Sequence, residues 1–77
     1  MTINGKRDFT YNGKKYHVTD LPKADRVDDK KYFISFVDAN GIYKPAYCNI
    51  NWEIDKFATI KEAQRYVRDW DWALDTL

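Results

Sequence analysis

The chain contains one cysteine, Cys48, and one histidine, His17. A lone thiol excludes an intramolecular disulfide and suits a reducing compartment. A zinc site takes about four nitrogen or sulfur ligands, or three and a water. These two residues, in separate hairpins, cannot assemble one without carboxylates. Nucleophilic catalysis needs a Ser, Cys or Thr with a base in reach, and the same scarcity argues against it. The glycines Gly5, Gly13 and Gly41 are isolated, so there is no phosphate-cradling loop. Asp28 and Asp29 lack the glycine and terminal glutamate of a calcium loop. The expectation is therefore no catalytic residue, no cofactor and no metal, hence not an enzyme. No apolar run approaches the ~18 residues of a membrane span, and neither a charged leader nor a small-residue cleavage site is seen. A cytoplasmic location without a membrane partner is expected.

Charge of one sign is also missing. The net charge is +1 with 32% charged residues, which is neither the bias of a strongly basic nucleic-acid binder nor that of an acidic mimic. Residues 1–37 hold eight Lys/Arg against five Asp/Glu and residues 38–77 five against seven, so the halves carry +3 and −2. What the chain does have is aromatics, at 17% of its 77 residues. A single domain over 1–77 is expected, and a chain this short buries only about 60% of the surface its unfolded form exposes. Large rings, each worth roughly 150–250 Å² of burial, compensate for that.

Two hairpins are legible after residues 1–6, which are expected to form a flexible N-terminus. In "RDFTYNGKKYHV", Asn12 and Gly13 supply the two positive-φ residues of a type I′ turn. Phe9, Tyr11, Tyr16 and Val18 then alternate inward, and His17 points to solvent. The segment 21–30 reads as a polar loop containing Pro22 and a charge cluster. "KYFISFVD" and "IYKPAYCNI" form the second hairpin around Ala39-Asn40-Gly41, where Asn40 and Gly41 can take positive φ. Pro45 marks an edge or a bulge.

From Thr59 the apolar period changes to 3.6. Thr59 and Glu62 have capping-box spacing, with Phe57 or Ala58 to pack on the first turn. Ile60, Ala63, Tyr66, Val67, Trp70, Leu74 and Leu77 share one sector, which predicts a buried stripe. Trp72 lies about 160° from Trp70, beside Lys61, Arg65 and Arg68. Trp70 is thus assigned to the core and Trp72 to the outside, where Arg68 four residues earlier can stack on it. Asp69, Asp71 and Asp75 read as a solvated face.

The fold expected is α+β, a small antiparallel sheet of about four strands in two hairpins with one C-terminal amphipathic helix on one face (ββββα). A single helix covers one face only. Pairing the small set Ala46, Cys48 and Ile50 with the helix leaves Phe33, Val37, Tyr43 and Tyr47 as an apolar patch. Cys48 is read as a small core residue.

The run from Lys31 to Trp70, with Phe57, Thr59, Glu62 and Ala63 in a Phe-x-Thr-x-x-Glu-Ala pattern, resembles the arm-type DNA-binding domains of phage and transposon integrases. That resemblance covers about half the chain and implies a three-stranded sheet, followed by a helix, inserted in the major groove. In style the whole chain also resembles small phage and mobile-element proteins, among them anti-CRISPR proteins, that act by occupying a partner's surface.

The leading expectation is a non-enzymatic interaction protein that inhibits or modulates a host or cognate protein, with Phe33, Tyr43, Tyr47, Arg65, Arg68 and Trp72 as contacts. A homodimer through the uncovered face is compatible with it. The alternative is a small nucleic-acid-binding module using Lys14, Lys15, Lys30, Lys31 and Lys44 on phosphates.

Overall fold

The computed structural model describes residues 7–76. The expectation for residues 1–6 and the place of Leu77 in the helix stripe fall outside them. The first hairpin joins β1 (Asp8–Tyr11) to β2 (Lys14–Asp20) through Asn12 and Gly13, at φ +55° and +79°. Both central residues are left-handed, as the type I′ turn requires. β3 (Tyr32–Val37) pairs antiparallel with β2, and β4 (Tyr43–Pro45) pairs with β3. The architecture is α+β, with this small antiparallel sheet and one C-terminal helix.

Segment 21–30 is tied down at several points. Leu21 is buried, a 3-10 turn spans Lys23–Asp25, Arg26 Nε donates to the Leu21 carbonyl at 3.1 Å, and Lys56 Nζ to the Asp25 carbonyl at 2.8 Å. In the second hairpin only Gly41 is left-handed, at φ +78°. Its N–H donates to the Asp38 carbonyl at 3.0 Å, the pattern of a three-residue loop closed by a glycine bulge. Asp38 Oδ1 accepts from Asn40 N–H and Ile42 N–H, both at 2.9 Å. Those amide bonds, Ile42 first, and the nearby Lys44 hold its carboxyl below the ordinary value against some desolvation.

The expected fourth strand is broken. Ala46 N–H still reaches the Ile34 carbonyl at 2.9 Å, but Tyr47–Cys48 (β5) leaves the sheet. Lys56–Phe57 (β6) takes the vacated place beside Tyr32 and Phe33 of β3. Segment 47–55, the arm, is thereby extruded from the sheet edge. Ile50, expected to face the helix, is instead 57% exposed, because the chain turns after Cys48.

Helix α1 (Ile60–Trp70) starts where the sequence places it, with Thr59 Oγ1 accepting from Glu62 N–H at 3.1 Å. Its buried residues are Ala63, Gln64 and Val67, and Ala63 and Val67 share a core with Phe9, Tyr16, Val18, Ile34, Ala46, Phe57 and Leu74. The assignment of Trp70 to the core is corrected, since Trp70 is 41% exposed. The buried face is rotated toward Gln64 and Asp71, polar residues that an apolar count leaves out. A 3-10 turn, Asp71–Ala73, then leads to β7 (Leu74–Asp75), which pairs with β5.

Asp71, expected on a solvated face with Asp69 and Asp75, is buried. Its carboxylate accepts from Tyr16 O–H and from Asn12 Nδ2 at 3.0 Å, with Lys14 Nζ at 3.6 Å. An anion at a helix C-terminus opposes the macrodipole, and these three donors offset that. Burial pushes its pKa up, but the bonds from Tyr16 and Asn12 and the charge of Lys14 outweigh it, leaving the carboxyl below its ordinary value. Burial and the Asp71 carboxylate drive the Tyr16 phenol well above 10.0.

Candidate interaction surface

The arm is a hairpin of its own. Cys48 and Glu53 form an isolated bridge, with Cys48 N–H on the Glu53 carbonyl at 2.9 Å and Trp52 N–H on the Cys48 carbonyl at 2.7 Å. Asn51 Oδ1 accepts from Glu53 N–H at 3.0 Å. The four-residue loop 49–52 so formed ends on Trp52 at φ +61°. Only glycine and asparagine visit this left-handed region readily, and other residues lose about 1–2 kcal/mol there. The backbone strain serves no burial, because Trp52 is 71% exposed.

The strained backbone does set the position of a ring. The Trp52 indole stacks on Tyr47, centroids 5.3 Å apart and planes 15° apart. Together with Lys44, Pro45, Ile54 and Thr76 they line a groove of about 420 Å³. Across the arm, Cys48, Ile50, Asn51, Asp55, Tyr66 and Trp70 line a second, smaller one. Ile50, Trp52 and Ile54 are all exposed, Ile50 on the second groove and Trp52 and Ile54 on the first.

The base of the arm is fastened from the C-terminal side. Tyr47 pairs with Asp75 and Cys48 with Leu74, Asn49 N–H donates to the Ala73 carbonyl at 2.8 Å, and Thr76 Oγ1 to the Pro45 carbonyl at 3.1 Å. Tyr66 O–H bonds the Asp55 carboxylate, and burial with that bond raises the Tyr66 phenol well above 10.0. Cys48 is buried at this base.

The residues expected as contacts do not form one patch. Tyr47 lies in the arm groove. Tyr43 sits on the sheet face away from the helix, stacked on His17 at 4.2 Å with 8° between planes. Phe33 is half-buried on that face, paired with Thr19 and Lys56. Arg65 and Arg68 line a third surface with Lys61 and Gln64, and Arg68 Nε is 3.6 Å from Asp69. Trp72 is 68% exposed and stacks on Trp70 at 5.5 Å rather than on Arg68, its Nε1 donating to the Asp69 carbonyl at 3.1 Å.

The lysines are dispersed as well. Lys14 and Lys15 begin β2, whereas Lys30 and Lys31 precede β3 at the opposite end of the same ladder. Lys14 lies beside Asp71, and Lys44 is 3.8 Å from Asp38.

His17 Nδ1 is 2.8 Å from Asp8 Oδ1, a pairing that orients an imidazole. The cross-strand neighbour of His17, Ser35, is buried with its hydroxyl 2.8 Å from Thr19 Oγ1. Among the described residues no three or more His, Cys, Asp or Glu side chains are grouped to hold a metal ion, and no helix is long and apolar enough to cross a membrane.

The chain matches no protein-family model, no curated protein and no solved structure. The likeness to integrase arm domains therefore rests on four residues. Two of these, Thr59 and Glu62, act here as a helix cap, and Phe57 and Ala63 as core.

Trp52, Ile50 and Ile54 were not among the contacts expected from sequence. The available signal was the alternation of these three residues in "NINWEID", which does not mark the turn at 49–52.

Proposed function

We propose that the protein is a non-enzymatic interaction module that binds a partner protein and inhibits or modulates it by occupying its surface, with the arm as the principal contact. Trp52 carries this reading. A bulky residue at a left-handed turn position is costly, and such strain clusters where a side chain must be presented for function. The exposed ring belongs to the type enriched at binding hot spots, and apolar neighbours on both flanks supply the rest of a contact. The scattered and partly paired lysines give the nucleic-acid alternative less support.

Affinity capture from nuclease-treated and untreated bacterial lysate, with wild-type, Trp52→Gly and Trp72→Ala baits, tests the proposal. A discrete protein retained by wild type from both lysates and lost with Trp52→Gly is the expected result. Identical capture by wild type and Trp52→Gly would overturn the arm assignment. Recovery of nucleic acid alone, abolished by nuclease, would replace it with the alternative.

A further inference from the structure

Each of the three glycines follows an asparagine, in Asn4-Gly5, Asn12-Gly13 and Asn40-Gly41. The first pair lies outside the described residues. An Asn-Gly pair carries a reaction of its own. The glycine backbone nitrogen, its proton lost to solvent base, attacks the asparagine Cγ; ammonia leaves as a succinimide ring closes, and water opens the ring to aspartate or isoaspartate. Glycine favours this because no Cβ shields the nitrogen. At Gly13 the space a Cβ would fill is open, and Asn12 and Gly13 are both exposed, so base and water have access. The two described pairs differ in what holds the reacting groups. Asn12 Nδ2 donates to Asp71 Oδ2 at 3.0 Å. The Asn40 side chain makes no hydrogen bond among the described residues, and there the Gly41 N–H is engaged instead, on the Asp38 carbonyl at 3.0 Å.

We infer that Asn12-Gly13 is a deamidation site restrained by Asp71, whose buried carboxylate tethers the Asn12 carboxamide in the intact fold. To react, Asn12 Cγ must turn onto the Gly13 nitrogen, which means leaving Asp71. Loss of ammonia makes the step one-way. Its product does not suit the cluster. Aspartate at position 12 replaces the donor with a second carboxylate facing Asp71, and two carboxylates that close cannot both ionise freely. Lys14, 3.6 Å from Asp71, is the cation recorded beside them. Isoaspartate also lengthens the main chain at a residue whose φ of +55° the type I′ turn requires. Either product frees the first hairpin from the end of α1. The site is separate from the arm and does not depend on the interaction reading.

Incubation of the purified full chain in mildly alkaline buffer, with peptide mass mapping of aspartate and isoaspartate at positions 12 and 40 over time, tests it in wild type, Asp71→Ala and Val67→Ala. Asn40 serves as the clock within each molecule. The ratio of the Asn12 rate to the Asn40 rate should rise about tenfold in Asp71→Ala, the population change on losing a hydrogen bond to a charged group. Val67→Ala weakens the core but keeps the Asn12–Asp71 bond, and should leave the ratio near its wild-type value. An unchanged ratio in Asp71→Ala, or an equal rise in Val67→Ala, would overturn the restraint by Asp71. No conversion at Asn12 in any of the three would overturn the site itself. Asn12→Asp, the product made directly, should unfold at a lower urea concentration than wild type. An equal or higher midpoint would overturn the claim that the product frees the hairpin.

Discussion

The Trp52 ring lies nearly parallel on that of Tyr47, 5.3 Å away, and the backbone of Trp52 adopts φ +61° to place it there. The relief of left-handed strain, about 1–2 kcal/mol, is comparable to the stacking lost, about 0.5–1.5 kcal/mol. Trp52→Asn and Trp52→Gly should therefore melt within about 1 kcal/mol of wild type by chemical denaturation, while binding suffers. A loss well above that would mean the indole is structural.

Asp71 ties the first hairpin to the end of α1. Asp71→Asn leaves Tyr16, Asn12 and Lys14 without a buried anion to donate to. It should cost about 1–3 kcal/mol at neutral pH. Because the folded carboxyl sits below its ordinary value of 3.8, its stabilisation is complete above that pH and fades as pH falls through the folded value. Wild type should thus lose stability on acidification below about pH 4 more steeply than Asp71→Asn. Parallel acid limbs in urea unfolding at a series of pH values would contradict this.

Tyr66→Phe removes the hydroxyl tether to Asp55 and leaves the ring against Phe57. Global stability should fall by about 0.5–1.5 kcal/mol. Cys48, buried at the base of the arm, should react with a thiol reagent measurably faster than in wild type because the arm opens locally. Equal labelling rates would show that the strand pairing alone fastens it.

Trp70→Ala should cost well under the about 3–5 kcal/mol of a buried aromatic, since the ring is 41% exposed. Val67→Ala, at a fully buried site one turn earlier, should cost about 2 kcal/mol despite removing far fewer atoms. Thermal melts of the two variants check the ranking, and a Trp70 variant much the weaker of the two would restore the ring to the core.

Features set by adjacent residues were legible in the sequence. The Asn12-Gly13 turn and the Thr59 cap depend on chemistry within four positions, and both are formed. The arm was not legible, because the alternation of "IYKPAYCNI" continues smoothly through Ala46. What ends the strand is distant, as Leu74 and Asp75 claim Cys48 and Tyr47 while Lys56 and Phe57 claim the edge of β3. The stripe of α1 was misplaced for a related reason. Gln64 and Asp71 are polar yet buried, and for Asp71 the partners lie in the first hairpin. Within the proposed surface Tyr47 was foreseen and Trp52 was not, since nothing local marks the turn at 49–52 that exposes the ring.

Amide hydrogen exchange on the purified complex with the captured partner tests the arm as contact surface most directly. Protection on binding should concentrate in residues 47–55, with little change along β1 and β2. Protection confined to β1, β2 or the outer face of α1, with the arm exchanging as in the free protein, would contradict it.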